Sequence, residues 1–133
     1  GEDAGLAGHP GLTKDGFGLT FGTNHLGPFL LTMLLTERLR ASPGARVVNV
    51  SSGNHFDPRS LELGAVRTAT RSRTGLPEYG VSKLCNVLFS AELRRRLAVG
   101  SPLQVFAADP GLVFTDMGFN ATPRLVRWIW SWR

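Results

Sequence analysis

The sequence predicts an α/β domain built on a parallel sheet. Three observations carry that expectation. Two short apolar runs, Arg46-Val47-Val48-Asn49-Val50-Ser51 and Leu103-Gln104-Val105-Phe106-Ala107-Ala108, have strand character. A long helical pattern, Glu78 to Val99, lies between them, and another, Phe29 to Arg40, precedes them. Strands joined through single helices pair in parallel, with right-handed crossovers. Each run also ends in turn-forming residues, Ser51-Ser52-Gly53 and Asp109-Pro110-Gly111. In such sheets ligands gather beyond the carboxyl ends of the strands.

In chain order, residues 1–12 are Gly-rich and read as loop. Thr13-Lys14-Asp15 offers a helix start with Thr13 as N-cap. From there to Ser42 apolar residues recur at helical spacing: Phe17, Phe21, Leu26, Phe29, Leu30, Met33 and Leu34. Gly16, Gly18, Gly22, Gly27 and Pro28 disfavour a helix over the first half, so tertiary packing must hold it. The second half stands on its own pattern, and Ser42-Pro43-Gly44 ends it. Both apolar runs read as buried strands. Residues 53–77 form a long loop with a turn of helix near Leu61–Leu63, and a loop of that length in a compact domain is usually functional. In the Glu78–Val99 helix, Leu84, Val87, Leu88, Ala91 and Leu97 supply the apolar stripe. Glu92, Arg94, Arg95 and Arg96 mark its wet side, and Gly100 is the C-cap candidate. Residues 112–122 read as loop, and Pro123 to Arg133 as a helix carrying Trp128, Trp130 and Trp132.

Bulk properties exclude several functions. The chain has 133 residues, 42% of them hydrophobic, and a net charge of +5. That suffices for one modest domain with a real core. Arg94-Arg95-Arg96 is the one tight cationic run, and no aromatic residues interleave with it as a stacking platform would require. It reads as a solvated basic surface, with no nucleic-acid partner. Cys85 is the sole cysteine, which excludes an intrachain disulfide and fits a reducing compartment. Its apolar neighbours make it a buried structural thiol. His9, His25 and His55 are far apart, and no residues are assigned to a metal. No secretory signal opens the sequence, and Leu26 to Leu35 is too short to span a bilayer, so an intracellular location is expected.

The chemistry centres on Tyr79-Gly80-Val81-Ser82-Lys83. Side chains four residues apart share one helical face. A phenol titrates near pH 10, and a neighbouring cation favours its ionised form. Tyr79 and Lys83 can therefore act as an acid/base pair. Alone, that spacing also describes an ordinary helix surface, and Ser-Ser or Pro-Gly after a strand is usually a turn. The order of the features carries more. Asn24-His25-Leu26-Gly27, Val47-Val48-Asn49-Val50-Ser51-Ser52, Tyr79-Gly80-Val81-Ser82-Lys83 and Asp109-Pro110-Gly111-Leu112-Val113-Phe114-Thr115 succeed one another. The set resembles the second half of a short-chain dehydrogenase/reductase. Thr13-Lys14-Asp15-Gly16-Phe17 and Ser82-Lys83-Leu84-Cys85-Asn86-Val87-Leu88-Phe89 extend the likeness to the branch containing retinol dehydrogenases and the WW-domain oxidoreductase. It covers residues 3–120.

The resemblance implies a partial Rossmann-type, doubly wound parallel sheet. It would lack the N-terminal dinucleotide-binding half and the C-terminal end, so that residues 1–133 form one incomplete domain. It implies roles as well. Tyr79 matches the general acid/base. Lys83 matches the residue that lowers the tyrosine pKa and binds the nicotinamide ribose. Ser52 matches the hydroxyl that orients the substrate oxygen. Asn24 matches the helix-kink asparagine that supports a water leading to the lysine. Pro110, Gly111, Val113 and Thr115 match the turn packed on the nicotinamide, and Ala4 and Gly5 the motif lining the adenosine side. The implied cofactor is NADP or NAD, with NADP slightly favoured, and the implied substrate is a small lipophilic alcohol or carbonyl. The branch also implies association with the endoplasmic reticulum membrane; a homo-oligomer is a separate expectation. Trp128, Trp130 and Trp132 could serve as a greasy lid or touch a membrane surface.

Two departures stand against the pattern. Glu2-Asp3-Ala4-Gly5 occupies the place of the family's Asn-Asn-Ala-Gly. No Gly-rich pyrophosphate turn between strand and helix exists in the sequence. Poor autonomous stability is expected of such a piece. Two readings remain open: an oxidoreductase represented by a fragment, or a truncated, catalytically inactive product acting at most as an interaction module.

Overall fold

A computed structural model describes residues 11–69, 72, 74–97 and 102–111. Ala4, Gly5, Gly100, Val113, Thr115 and the expected Trp128, Trp130 and Trp132 helix lie outside the described residues. The elements run α1 (Leu19–Phe21), a π-helical turn (Gly22–Leu26), α2 (Gly27–Arg40), β1 (Arg46–Val50), 3-10 segments at Gly53–Phe56 and Leu63–Arg67, α3 (Leu76–Leu97) and β2 (Gln104–Ala108). The two strands pair in parallel, from Arg46 opposite Gln104 to Val50 opposite Ala108. The expected α/β architecture is therefore present, as part of a Rossmann-like fold.

The helix entry differs from expectation. Thr13 caps no helix. Its hydroxyl accepts the Phe17 N–H at 3.1 Å while its own N–H donates to the Phe17 carbonyl at 2.7 Å. Gly16, at φ +77°, allows that turn to close. The helix starts at Leu19 and continues through the glycines as a π turn, with Gly27 N–H donating to the Gly22 carbonyl five residues back. Pro28 explains the widening. It has no N–H to offer the Asn24 carbonyl four residues back, and a π turn absorbs such a mismatch.

The strands also need correction. Only one sheet face is buried: Val47, Asn49 and Val105 point inward. Val48, Val50 and Phe106 on the other face are 55, 54 and 47% exposed. The runs read as fully buried because β-branched residues occupy both faces, yet α3 covers one face alone. The long loop contains 3-10 turns at Gly53–Phe56 and Leu63–Arg67 rather than a single turn near Leu61. It docks on the helix entry through the Gly18 N–H, which donates to the Val66 carbonyl at 2.8 Å, and through Arg67 over the Phe17 ring.

The core is small. Val47, Leu93, Leu103 and Val105 form it, with Leu39, Ala45, Phe89 and Leu97 packed against them. It sits toward the amino ends of the strands. Thr36 is the one buried residue of α2, whose Leu30, Leu31 and Leu34 are exposed. Among the described residues no helix is long and apolar enough to cross a membrane.

Of the expected apolar stripe of α3, Leu97 packs against the core, but the rest is not the buried face of the helix. Gly80, Ser82, Cys85, Asn86, Ser90 and Leu93 are buried, whereas Leu88 and Ala91 are exposed and Leu84 and Val87 half-buried. Small and hydrogen-bonded side chains let α3 approach the sheet closely, and a polar group can be buried when its partners are supplied.

Candidate active site

The inward face of β1 changes character along its length. Val47 belongs to the apolar core. Two residues on, Asn49 donates through Nδ2 to Ser90 Oγ at 2.8 Å. Two further, the buried Ser51 donates to the Lys83 carbonyl at 3.0 Å. Strand alternation thus converts one face from packing to polar anchoring at its carboxyl end, where α3 brings Tyr79 and Lys83.

Lys83 Nζ donates to the Val50 carbonyl at 3.2 Å and lies 5.4 Å from the centroid of the Tyr79 ring. Burial pushes the Lys83 pKa below the ordinary lysine value. The spacing of Tyr79 and Lys83 on one face is therefore realised, with the ammonium over the phenol ring. Among the described residues none hydrogen-bonds the Tyr79 hydroxyl.

Ser52 stands on the same rim, but its hydroxyl is engaged locally. It accepts the Asn54 N–H at 3.4 Å and donates to Asn54 Oδ1 at 3.2 Å, capping the Gly53–Phe56 segment. That segment is pressed onto α3. A Cβ on Gly80 would stand 2.9 Å from the Asn54 carbonyl oxygen, so only glycine lets the Ser52 loop sit this close to the turn bearing Tyr79. The second strand completes the rim. Ser51 N–H donates to the Ala108 carbonyl at 2.7 Å, and the Asp109 carboxylate lies 3.6 Å from where a Gly53 Cβ would be. Gly111, at φ +68°, donates its N–H to Asp109 Oδ1 at 3.0 Å, holding the Pro110-Gly111 turn beside Ser52. Val113, Thr115, Ala4 and Gly5 lie outside the described residues.

Asn24 reaches α3 behind the ammonium. Its Nδ2 donates to Ser82 Oγ at 3.2 Å, and Ser82 in turn donates to the Tyr79 carbonyl at 2.7 Å. Its backbone carbonyl accepts Asn86 Nδ2 at 3.1 Å. Asn86, Ser82 and Ser90 were not singled out as site residues from the sequence. Their four-residue spacing, Ser82, Asn86, Ser90, was the available signal: small polar residues at helical period mark a face that packs on backbone groups.

Cys85 is buried as expected, and burial pushes its thiol pKa up, which suits a structural thiol rather than a nucleophile. A cavity of about 230 Å³ lies on the opposite flank of α3, between Phe21, Ala65, Val66, Pro77 and Val81. Tyr79, Lys83 and Ser52 do not line it.

Known proteins resemble this chain over most of its length. No family model matches the chain. Retinol dehydrogenase 12 of Mus musculus is 41% identical over 120 residues, covering 87% of the chain and 36% of that protein. Retinol dehydrogenase 13 of Homo sapiens is 43% identical over 106 residues, covering 80% of the chain and 31% of that protein. A crystal structure of an uncharacterized protein from Mycobacterium paratuberculosis superposes with a TM-score of 0.70 at 44% identity, covering 87% of the chain and 42% of that protein. The chain thus spans about a third of the length of the curated relatives it matches. Over that span it is a homologue of the retinol dehydrogenases, in the short-chain dehydrogenase/reductase family.

Proposed function

We propose that this chain is the catalytic part of an NAD(P)-dependent oxidoreductase acting on a small lipophilic alcohol or carbonyl. The observation that carries the reading is the Tyr79–Lys83 pair, with the ammonium 5.4 Å from the phenol ring centroid at the carboxyl end of the sheet. Its support is the homology to retinol dehydrogenases, whose names give retinol as substrate.

The residues present fit the nicotinamide end of a dinucleotide. Lys83 carries three N–H donors and gives one to Val50, leaving donors for a ribose hydroxyl. Pro110 and Gly111 close the same rim and would flank the nicotinamide ring. A bound nicotinamide supplies or accepts the hydride. The rest of the chemistry belongs to the chain. Tyr79 Oη gives the proton to the substrate oxygen during reduction and takes it during oxidation. The Lys83 ammonium stabilises the negative charge left on the phenol oxygen. Ser52 Oγ turns from Asn54 to donate to the oxygen on which charge develops. Asn24 holds the Tyr79 turn through Ser82. Ala4, Gly5, Val113 and Thr115 complete the cofactor contacts in this reading. The three tryptophans Trp128, Trp130 and Trp132 serve the lipophilic substrate or a membrane surface, and residues 1–133 belong to a single domain.

A second reading, an interaction module without activity, draws on the exposed apolar surface of α2, where Leu31 is 60% and Leu34 74% exposed. One experiment separates the two. NADPH and NADH are titrated into the protein that carries this chain, followed by nicotinamide fluorescence and turnover of a lipophilic aldehyde. Binding and turnover that Tyr79→Phe removes, by on the order of 10²–10⁴-fold, are expected. A folded sample that binds neither nucleotide leaves the interaction reading.

A further inference from the structure

Asn86 makes more cross-element contacts than any role assigned above requires. It is 4% exposed, one turn along α3 from Lys83. Its Nδ2 donates to two carbonyls on different elements, Asn24 in the π turn and Val50 at the end of β1, each at 3.1 Å. Both carboxamide hydrogens are thereby used. The amide orientation is determined by those two acceptors, so Oδ1 must face His25 Nδ1, 2.8 Å away, as an acceptor. His25 therefore carries its proton on Nδ1. Its ring is wedged between Phe21, Phe29 and Phe89, with centroids 5.1, 6.0 and 6.2 Å away.

The Val50 carbonyl links this clamp to the chemistry. It accepts Asn86 Nδ2 at 3.1 Å and Lys83 Nζ at 3.2 Å. The ammonium is thus anchored on an oxygen whose other approach is held by Asn86. The Asn24 carbonyl is free for the clamp because Pro28 lacks the N–H that an α-helix would aim at it. One proline thereby makes a π turn and an acceptor at once.

We infer that Asn86, oriented by His25, is a positioning residue that sets the Lys83 ammonium against Tyr79 by holding the Val50 carbonyl and the Asn24 turn. The inference rests on the acid/base reading of Tyr79 and Lys83 given above. The titratable side chains around the clamp are Glu78, Tyr79, Lys83 and Cys85 of α3, His25 of the π turn, His55 and Asp57 after β1 and Asp109 after β2.

The test uses the protein that carries this chain, assayed from about pH 6 to about pH 10 with NADPH and a lipophilic aldehyde. Asn86→Leu keeps the volume and removes the clamp. It is expected to lower kcat on the order of 10–100-fold and to raise KM for the nucleotide as well, because the displaced Lys83 also serves the ribose. His25→Asn, which can still donate to Oδ1, is expected to retain parental kcat and pH profile, and His25→Leu to behave as Asn86→Leu does. Asn86→Asp places a carboxylate beside the ammonium. NMR of carbon-labelled lysine is expected to show Lys83 titrating at higher pH there, a readout independent of turnover, and the pH rise of turnover moves the same way. Should Asn86→Leu fail to fold, the two His25 variants and Asn86→Asp decide. Variants that lose thermal stability but keep parental kcat, pH profile and Lys83 titration overturn the inference. Tyr79→Phe separates this failure from a wrong reaction: if it turns over as the parent does, the acid/base reading itself is at fault.

Discussion

The two faces of α3 contrast sharply. The inward face carries Ser82, Asn86 and Ser90, all buried and all hydrogen-bonded. Of the predicted core stripe, Leu97 packs on the core, whereas Leu84, Val87, Leu88 and Ala91 form a flank on which Leu88 is 48% exposed. Hydrophobicity alone would turn the helix the other way. The difference teaches that this helix is docked by its hydrogen bonds at the Tyr79 end and by Leu93 at the core end. Desolvating serine and asparagine costs little when each polar atom meets a partner, and much when one is left alone. Among the described residues no buried side-chain nitrogen or oxygen lacks a partner.

Substitutions can break this contrast, in descending order of effect. Ser82 is fully buried and bridges Asn24 to the Tyr79 carbonyl. Ser82→Leu overfills the contact between α3 and the π turn and strands the Asn24 amide. We expect a loss of about 2–5 kcal/mol by urea denaturation of the protein that carries this chain. Gly80→Ala drives a Cβ against the Asn54 carbonyl, costing about 1–3 kcal/mol and displacing the Ser52 loop, so turnover falls with stability. Ser90→Ala leaves Asn49 Nδ2 buried without its acceptor, a loss of about 1–3 kcal/mol. On the outward flank Leu88→Ser should change the unfolding free energy measured in urea by no more than about 0.5 kcal/mol. A loss as large as that of Ser90→Ala would show that this flank is covered after all.

The smallest effect sharpens the comparison at the wet edge of the same helix. Glu92 accepts from Arg95 and Arg96, and these hydrogen bonds hold its carboxyl down to about 2. A depressed carboxylate pKa adds stability above the unfolded value, and that contribution is lost as pH falls through the folded one. Glu92→Gln should therefore be slightly less stable than the parent at neutral pH and indistinguishable below about pH 2. Because these groups are exposed, the difference should fade at about 1 M salt.

Much of the site was legible because its chemistry is local in sequence. Tyr79 and Lys83 share a face by helical period, and Ser52 and Pro110-Gly111 share a rim because both follow parallel strands. The π turn was legible only as a warning: Gly22, Gly27 and Pro28 marked trouble without saying that the helix widens there instead of stopping. Asn86 was missed because a lone asparagine in a helix has no pattern of its own. Its three partners, Asn24, His25 and Val50, are 36 to 62 positions away.

By itself, the sequence determined the α/β order, the parallel pairing and the placing of Tyr79 and Lys83 on one helical face, since helical and strand periods and turn chemistry are properties of neighbouring residues. Only the tertiary structure decided which side of α3 faces the sheet, which strand face stays open and that Ser52 rests on Asn54. Those outcomes depend on whether a distant carbonyl, amide or hydroxyl is present to satisfy a buried polar group, and sequence proximity does not encode that.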